Sequence, residues 1–253
     1  MIFTAMNKRL CLFLSLAGLL GVSHANSSDE VTLLYVEHPA FHSDKQHDGN
    51  IEGLIANPVK QAFLQAGVTY KWQEIPVARQ YQILQDSQES ACIVGAVKIA
   101  EREKVGQFSH PIYQSRPIIA LSRADNQAMT DGGKLEDTLR NPKLVMLAKQ
   151  GYSFGKFVDD SIARFKPKTE PTSAGMPSMM NMLLYKRADY FFMAEDAFGP
   201  LTSSPGYEPA QFKLSHFSDM PAGNMRYLWC TRKVPEATLK KLNIELDKLF
   251  RKG

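Results

Sequence analysis

Two basic residues that directly follow an apolar stretch mark a candidate anion site. Residues 92–97, CIVGAV, have the composition of a buried strand, and Lys98 and Arg102 come next along the chain. Ligands of α/β proteins usually bind at the carboxyl ends of the strands. An unpaired guanidinium is costly to bury there unless an anion neutralises it. One interpretation of Arg102 is therefore a ligand contact, and the other is an ion pair with Glu101, Glu103 or another acid.

The histidines His38, His42 and His47 raise the question of a metal site, which the neighbouring sequence disfavours. Pro39 prevents the helical spacing that would put His38 and His42 on one face, so a polar loop is expected. Methionines crowd residues 176–182, where filling of a hydrophobic core is the expected role. The sequence contains no phosphate-binding loop, nucleophile elbow or dinucleotide turn. We therefore predict no metal and no cofactor.

The elements that must position these residues alternate between strand and helix. Apolar runs such as 31–36 and 92–97 predict strands, while 53–67 and 235–253 have the spacing of amphipathic helices. This alternation predicts an α/β fold with mostly parallel sheets flanked by helices. No linker divides the chain, so two lobes would be joined by more than one crossing. Polar stretches expected to be surface loops lie at 124–133, 167–175 and 201–211.

The first 25 residues have the features of a signal peptide. Lys8 and Arg9 precede an apolar run, residues 11–22, and residues 23–25 (SHA) supply a small-x-small cleavage pattern. The run is shorter than the roughly 18 residues of a membrane-spanning helix, and a retained anchor is the alternative. Removal of residues 1–25 takes two cations and no acid, so the formal net charge falls from +4 to +2. We expect a periplasmic protein with too little positive charge to bind nucleic acid.

Two cysteines remain after the signal peptide, Cys92 and Cys230, and both lie in apolar runs typical of strands. An oxidising compartment favours a disulfide between them. Two separately buried thiols are the alternative, because cysteine is among the most buried residue types. Neither cysteine has the spacing of a zinc ligand.

The segment 92–113 resembles the bacterial extracellular solute-binding proteins of family 3, the polar amino-acid binders. In that family a strand is followed by T-x-x-R and then by F-S-x-P-Y. Arg102 matches the arginine of this pattern, and Phe108-Ser109 match its F-S pair. Four further segments resemble the family in the same order along the chain: 38–53, 72–84, 149–160 and 185–196. The resemblance covers nearly the whole mature chain.

The resemblance implies a two-lobed, hinged receptor whose chain crosses the hinge twice. Lobe 1 would comprise 26–116 plus 220–253, and lobe 2 would comprise 117–219. Such a receptor closes on a small anionic or zwitterionic ligand, an amino acid or a relative of one, and presents it to a membrane transporter permease or a sensor protein. We expect a monomer. Cys92 and Cys230 would both fall in lobe 1.

The resemblance also implies ligand contacts, from which this sequence departs at several positions. The family arginine holds the α-carboxylate of the ligand, and a guanidinium suits that role because its fork matches a carboxylate and keeps its charge. The family threonine and serine are replaced by Ile99 and Val97, for which Lys98 either compensates or points to solvent. The acid that receives the ligand's amino group aligns with Ala194, and Glu195 would take that role if the register slips by one residue. These departures put an ordinary α-amino acid in doubt.

Other candidate ligand contacts lie in turns and at strand ends. Tyr152 and Ser153 belong to a glycine-flanked turn that either presents N–H groups and a hydroxyl to an anion or caps a helix. Phe41 is a candidate apolar wall, and Arg79 is a second candidate anion contact. Glu37, at the end of the first strand, completes the set of predicted ligand residues.

Two other functions fit the same fold. A periplasmic dehydratase or lyase would need a carboxylate of tuned pKa in the cleft, for which Glu37 and Glu195 are the candidates. A ligand-sensing receptor for a signalling protein is the other alternative, and the sequence does not separate it from a transporter subunit.

Overall fold

The computed structural model describes residues 30–44, 48–203 and 205–251 of the 253-residue chain. Over these residues the chain forms two β-sheets flanked by helices, which is the two-lobed α/β architecture expected from the sequence. The predicted signal peptide and His47 lie outside the described residues. No helix in the described part of the chain is long and apolar enough to cross a membrane.

The first sheet consists of β1 (Val31–Tyr35), β2 (Tyr70–Glu74), β3 (Ala91–Val97), β4 (Gln107–Phe108), β5 (Tyr113–Gln114) and β11 (Met225–Cys230). Its strand order is β2-β1-β3-β11-β4, and β5 also pairs with β11. Strand β1 is parallel to β2 and β3, whereas β11 is antiparallel to β3, β4 and β5. Strands β1 and β3 are buried along most of their length, as their continuous apolar composition indicates.

The second sheet consists of β6 (Ile118–Arg123), β7 (Met146–Lys149), β8 (Thr169–Thr172), β9 (Tyr190–Ala194) and β10 (Phe212–Ser215). Its order is β10-β6-β9-β7-β8. Strand β7 is parallel to β8 and β9, and β6 is antiparallel to β9 and β10. Strand β9 is buried at every position, so it forms the centre of this sheet in packing as well as in order.

Helices cover both sheets. They are α1 (Ala56–Ala66), α2 (Val77–Asp86), α3 (Ala100–Val105), α4 (Leu135–Leu139), α5 (Lys156–Phe165), α6 (Met176–Leu184), α7 (Phe198–Thr202) and α8 (Glu236–Phe250). Helix α1 buries Val59 and Phe63, and α8 buries Leu239, Leu242 and Leu246, in each case on one stripe. The two helices pack against each other, which explains their amphipathic sequences.

The chain passes between the two sheets twice. It leaves the first sheet after Gln114 and enters the second at Ile118, and it returns between Ser215 and Met225. A double crossing explains why no single linker divides the sequence. The lobe limits expected from the sequence fall inside these two connections, and the assignment of residues to lobes stays a prediction.

The fold differs from the sequence-based predictions in two details. The sheets are mixed rather than mostly parallel, because β11, β6 and β10 pair antiparallel with their neighbours. The stretch 167–175, predicted as a loop, contains the edge strand β8. Pro171 argued against a strand in the sequence. A proline is nevertheless tolerated at a sheet edge, because its missing N–H needs no partner there.

Cys92 and Cys230 are joined by a disulfide with an S–S distance of 2.02 Å. The two residues face each other in the register of β3 and β11, with their Cα atoms 3.9 Å apart. The bond spans a sequence separation of 138 residues. It therefore ties the early part of the first sheet to the strand that returns from the second.

Candidate functional site

A cavity lies between the two sheets, with about 110 Å³ open to the centres of water molecules. None of the described residues that line it is an aspartate or a glutamate. We call one side the first-sheet wall and define it by His38, Phe41, His42, Arg102, Arg226 and Trp229. The opposite side, the second-sheet wall, comprises residues 151–154 and 192–194.

Arg102 reaches the cavity from the short helix α3, which begins three residues after the last residue of β3. Its Nη1 donates to the carbonyl of Val97, the end of that strand, at 2.8 Å. Its Nη2 donates to the Tyr81 hydroxyl and, at 3.4 Å, to the Gly151 carbonyl of the second-sheet wall. The ring centres of Tyr81 and Trp229 each lie 5.4 Å from the guanidinium carbon. The side chain is thus held in place by neutral groups.

The positive charge of Arg102 has no acidic partner in the described part of the chain. Its three hydrogen-bonded oxygens are all uncharged, and its Nε has no partner among the described residues. The residue is only 8% exposed, so its charge is costly unless an anion arrives. The predicted alternative of an ion pair with a neighbouring acid is not formed, because Glu103 pairs with Lys98 at 2.9 Å.

Arg226 is a second cation of the cavity, and the sequence analysis missed it. It lies on β11 opposite Val97, beside a bulge where the register between β11 and β3 shifts. Gly95 occupies the bulge with φ of +79°, a conformation that favours glycine. The Arg226 guanidinium donates to the Gly95 carbonyl at 3.5 Å, and its carbon lies 5.2 Å from the ring centre of Phe41.

The charge of Arg226 is also left without a direct ion pair among the described residues. Burial lowers its pKa to about 10, so the guanidinium is still protonated at neutral pH. Asp196 is the acid whose charge acts on it, but that carboxylate accepts hydrogen bonds from the Tyr113 hydroxyl at 3.0 Å and the Arg116 N–H at 2.6 Å. The Arg226 Nε has no partner in the described structure. The first-sheet wall therefore carries two cations.

His38 and His42 complete this wall without adding charge. Both side chains are buried, and their backbones pair with each other in a tight loop. The His38 ring stacks on Phe41 with ring centres 4.2 Å apart. Burial lowers the pKa of His42 to about 4 and that of His38 well below its usual value, so both imidazoles are neutral at pH 7. Among the described residues, no group of three or more histidine, cysteine or acidic side chains is arranged to hold a metal ion.

The second-sheet wall begins with the turn after β7. Gly151 has φ of +75°, and its carbonyl accepts the Tyr81 hydroxyl at 3.1 Å. A Cβ on Gly151 would lie 2.7 Å from a methyl carbon of Val77, so the two walls are in close contact here. Burial raises the pKa of Tyr152 to about 12, which keeps its phenol protonated and able to donate a hydrogen bond.

Ser153 lines the cavity, but its hydroxyl is already engaged. It donates to Asp159 of α5, and the same carboxylate accepts the Phe154 N–H at 2.9 Å. The hydroxyl oxygen also accepts the Gly155 N–H at 3.2 Å. The Ser153 hydroxyl therefore has no hydrogen left for an anion, and Gly155, the N-cap residue of α5, has no side-chain cap hydrogen bond in the described structure.

Four residues predicted to bind the ligand are absent from the cavity lining: Lys98, Arg79, Glu37 and Glu195. Lys98 is exposed and forms the ion pair described above. Arg79 lies on the exposed face of α2, where it donates to Gln82 at 3.2 Å. Glu37 accepts hydrogen bonds from the Ser43 hydroxyl and the Asp44 N–H on the surface. Charge near a strand end was therefore a poor guide to the direction of these side chains.

The position expected to hold an acid is occupied by Ala194, which lines the cavity at the end of β9. Glu195 follows in a 3-10 turn and points away from the cavity. Its carboxylate lies 3.6 Å from His216 Nε2 and 3.9 Å from Arg116 Nη1. Glu195 does not replace the missing acid, because consecutive residues at a strand end face opposite directions.

The sequence matches the family model of the bacterial extracellular solute-binding proteins, family 3, over residues 34–253. The chain belongs to this family. The match spans both sheets and the cavity between them, so the resemblance noted from the sequence is confirmed. No curated protein is similar enough to this chain to count as a match.

Several solved structures have a fold similar to that of this chain. An ancestral arginine-binding protein bound to arginine superimposes with a TM-score of 0.69 at 16% identity, covering 88% of this chain and 93% of that one. A structure from a study of glutathione import via GshT and the cystine ABC importer TcyBC of Streptococcus mutans gives 0.71 at 16% identity, covering 89% and 90%. An amino acid ABC transporter substrate-binding protein from Streptococcus pneumoniae, bound to L-arginine, gives 0.68 at 16% identity, also covering 89% and 90%. At 16% identity, these structural similarities support the fold alone.

Proposed function

We propose that this protein is a periplasmic receptor that clamps a small carboxylate-bearing ligand between its lobes and presents it to a membrane transporter. The lobes would be residues 26–116 plus 220–253 and residues 117–219. Membership of the solute-binding family and the fold of amino-acid ABC transporter receptors support this proposal. The cavity between the sheets is the expected ligand site.

The observation that carries the proposal is the unpaired charge of Arg102. Its guanidinium is buried beside the cavity, and its acceptors are three neutral oxygens. A ligand carboxylate would supply the missing counter-charge and two well-placed acceptors. Phe41 and Trp229 would cover the apolar part of the ligand.

Closure of the lobes would be driven by contacts that exist only when the two walls meet. The Gly151 carbonyl accepts from Tyr81 and Arg102 of the first-sheet side, and Asn224 donates to the Phe154 carbonyl at 2.7 Å. A ligand that touches both walls would shift the population toward this closed state.

The receptor function can be tested by thermal-shift measurements and calorimetry on the mature protein with small carboxylic acids and amino acids. A ligand that binds only the folded state must raise the unfolding midpoint. Arg102→Gln should weaken the binding of every hit by about 30-fold or more, because it removes one partner of a buried charge pair. Arg79→Gln is the matched control, since Arg79 is exposed and outside the cavity.

Retained affinity in Arg102→Gln would overturn the assignment of the anchor.

Mass spectrometry of each hit after incubation with the protein distinguishes a receptor from a dehydratase or lyase. Unchanged ligand is the expected result, because the described cavity lining contains no carboxylate to act as an acid or base. Co-purification with a permease or with a sensor protein would identify the membrane partner.

A further inference from the structure

Resting on the proposed receptor function, we propose that the ligand is a small dicarboxylate without an amino group, held at two anion subsites. The subsites are centred on Arg102 and Arg226. The inference concerns the class of ligand in the same cavity, and it depends on the second arginine and on the absence of an acid at Ala194.

The first step is that both arginines serve one cavity from the same end of β3. Arg102 donates to the Val97 carbonyl at 2.8 Å, and Arg226 is the β11 residue paired with Val97. Both side chains line the cavity, and the Nε atom of each lacks a hydrogen-bond partner among the described residues. A dicarboxylate would supply one counter-charge for each of these two buried cations.

The second step is that the two subsites have different surroundings. The Arg102 guanidinium carbon lies 5.4 Å from the ring centres of both Tyr81 and Trp229. Arg226 lies over Phe41. Two separate anionic groups on one ligand match this arrangement, since each guanidinium can donate hydrogen bonds to its own carboxylate.

The third step is that the described cavity lining has no carboxylate to pair with an ammonium. Ala194 stands where an acid was expected, and Glu195 is directed toward His216 and Arg116. An α-ammonium would be desolvated beside two arginines with no carboxylate to pair with, which disfavours an amino acid.

The test uses calorimetry with pairs of probes that differ only by the amino group: succinate against aspartate, and glutarate against glutamate. The amine-free member of each pair should bind at least about tenfold more tightly, because its partner carries an unpaired ammonium into the cavity. Tighter binding of aspartate or glutamate would overturn the inference, and so would the absence of binding by both diacids.

A second arm compares glutarate with pentanoate, a monoacid of the same length. Arg226→Gln should weaken glutarate by at least about tenfold while changing pentanoate by less than about threefold, because only the diacid uses the second subsite. Equal losses for the two acids would overturn the inference. Arg79→Gln serves as the exposed control, and circular dichroism checks that each variant is folded.

A third arm restores the missing acid with Ala194→Asp, which does not depend on the folding of an arginine variant. The ratio of glutarate affinity to glutamate affinity should fall by at least about tenfold, because the new carboxylate repels the diacid and receives the ammonium. An unchanged ratio would contradict the role given to Ala194.

The outcomes separate this inference from the proposed function on which it rests. If amino acids bind more tightly and Arg102→Gln abolishes their binding, the receptor function stands and the dicarboxylate inference is wrong. If Arg102→Gln leaves every affinity unchanged, the receptor anchor itself is wrong.

Discussion

The two walls of the cavity differ in chemistry although they belong to one site. The first-sheet wall carries two arginines and two buried, neutral histidines. The second-sheet wall offers the Gly151 carbonyl, the Tyr152 phenol and apolar side chains, with no charged residue. In the proposed receptor, the first-sheet wall would neutralise the charge of the ligand, and the second-sheet wall would cover the ligand.

The first sheet is also cross-linked by a disulfide. The disulfide Cys92–Cys230 joins β3 to β11 inside the first sheet, and β11 is the strand that carries Arg226. A wall that must hold two unpaired cations close together gains from such a fixed frame, because the repulsion between them acts against folding.

The largest expected effect is therefore on stability when the disulfide is reduced. In the chain-entropy model, a disulfide that closes a loop of 138 residues raises the free energy of the unfolded state by up to about 5 kcal/mol, because it restricts the unfolded chain. Denaturant unfolding with and without a reducing agent measures the loss. The double variant Cys92→Ala with Cys230→Ala should be insensitive to the reductant, and a wild-type midpoint that does not change on reduction would contradict the prediction.

A smaller loss of stability is expected on acidification, and it should trace to the first-sheet wall. The pKa of His42 is about 4 in the folded protein and near 6.5 in the unfolded chain. Below pH 6.5 the His42 imidazole binds a proton in the unfolded state but stays neutral in the folded state. The free energy of unfolding therefore decreases as the pH falls toward 4. At pH 5 the loss for this residue is on the order of 2 kcal/mol.

Unfolding free energies measured between pH 7 and pH 5 test this prediction. His42→Phe should flatten the pH dependence, because the ring that resists protonation is removed. The pKa of His38 is also lowered by burial, so His38 accounts for the pH dependence that remains in the His42→Phe variant. A variant with the full wild-type pH dependence would show that other groups are responsible.

The second-sheet wall is tested by Gly151→Ala, which should reduce ligand affinity by about tenfold. The added Cβ would lie 2.7 Å from Val77 only when the lobes are closed, so it penalises the closed state. Small-angle scattering with saturating ligand should show a more open molecule than wild type. Gly132→Ala is the matched control, since Gly132 also has positive φ, +78°, but no atom within 4 Å of the added Cβ.

The smallest expected effect is that of Tyr152→Phe. Removing a neutral hydrogen-bond donor should weaken binding by a factor of about two to ten. Calorimetry with the best ligand measures the change. A loss as large as that of Arg102→Gln would remove the proposed contrast between the walls.

The sequence predicted most of the fold because its signals were local. The alternation of apolar runs and amphipathic helices located β1, β3, α1 and α8 closely. Strand β8 was missed because Pro171 argues against a strand unless the edge position is known. The antiparallel pairing of β11 depends on the second crossing of the chain, which local pattern does not reveal.

The site was predictable only where a motif fixed both position and direction. Arg102 follows β3 at the spacing of the family pattern, and it lines the cavity. Arg226 lacks such a motif, and its direction depends on the bulge at Gly95 in a different strand. Glu195 was placed by a one-residue shift in register, which at a strand end reverses the side chain.

A crystal structure with the tightest-binding carboxylic acid tests the central claim most directly. The account predicts a ligand carboxylate within about 2.7–3.2 Å of the Arg102 guanidinium, in contact with both walls of the cavity. A structure in which the ligand lies elsewhere, while Arg102 keeps only the Val97, Tyr81 and Gly151 oxygens as acceptors, would contradict it.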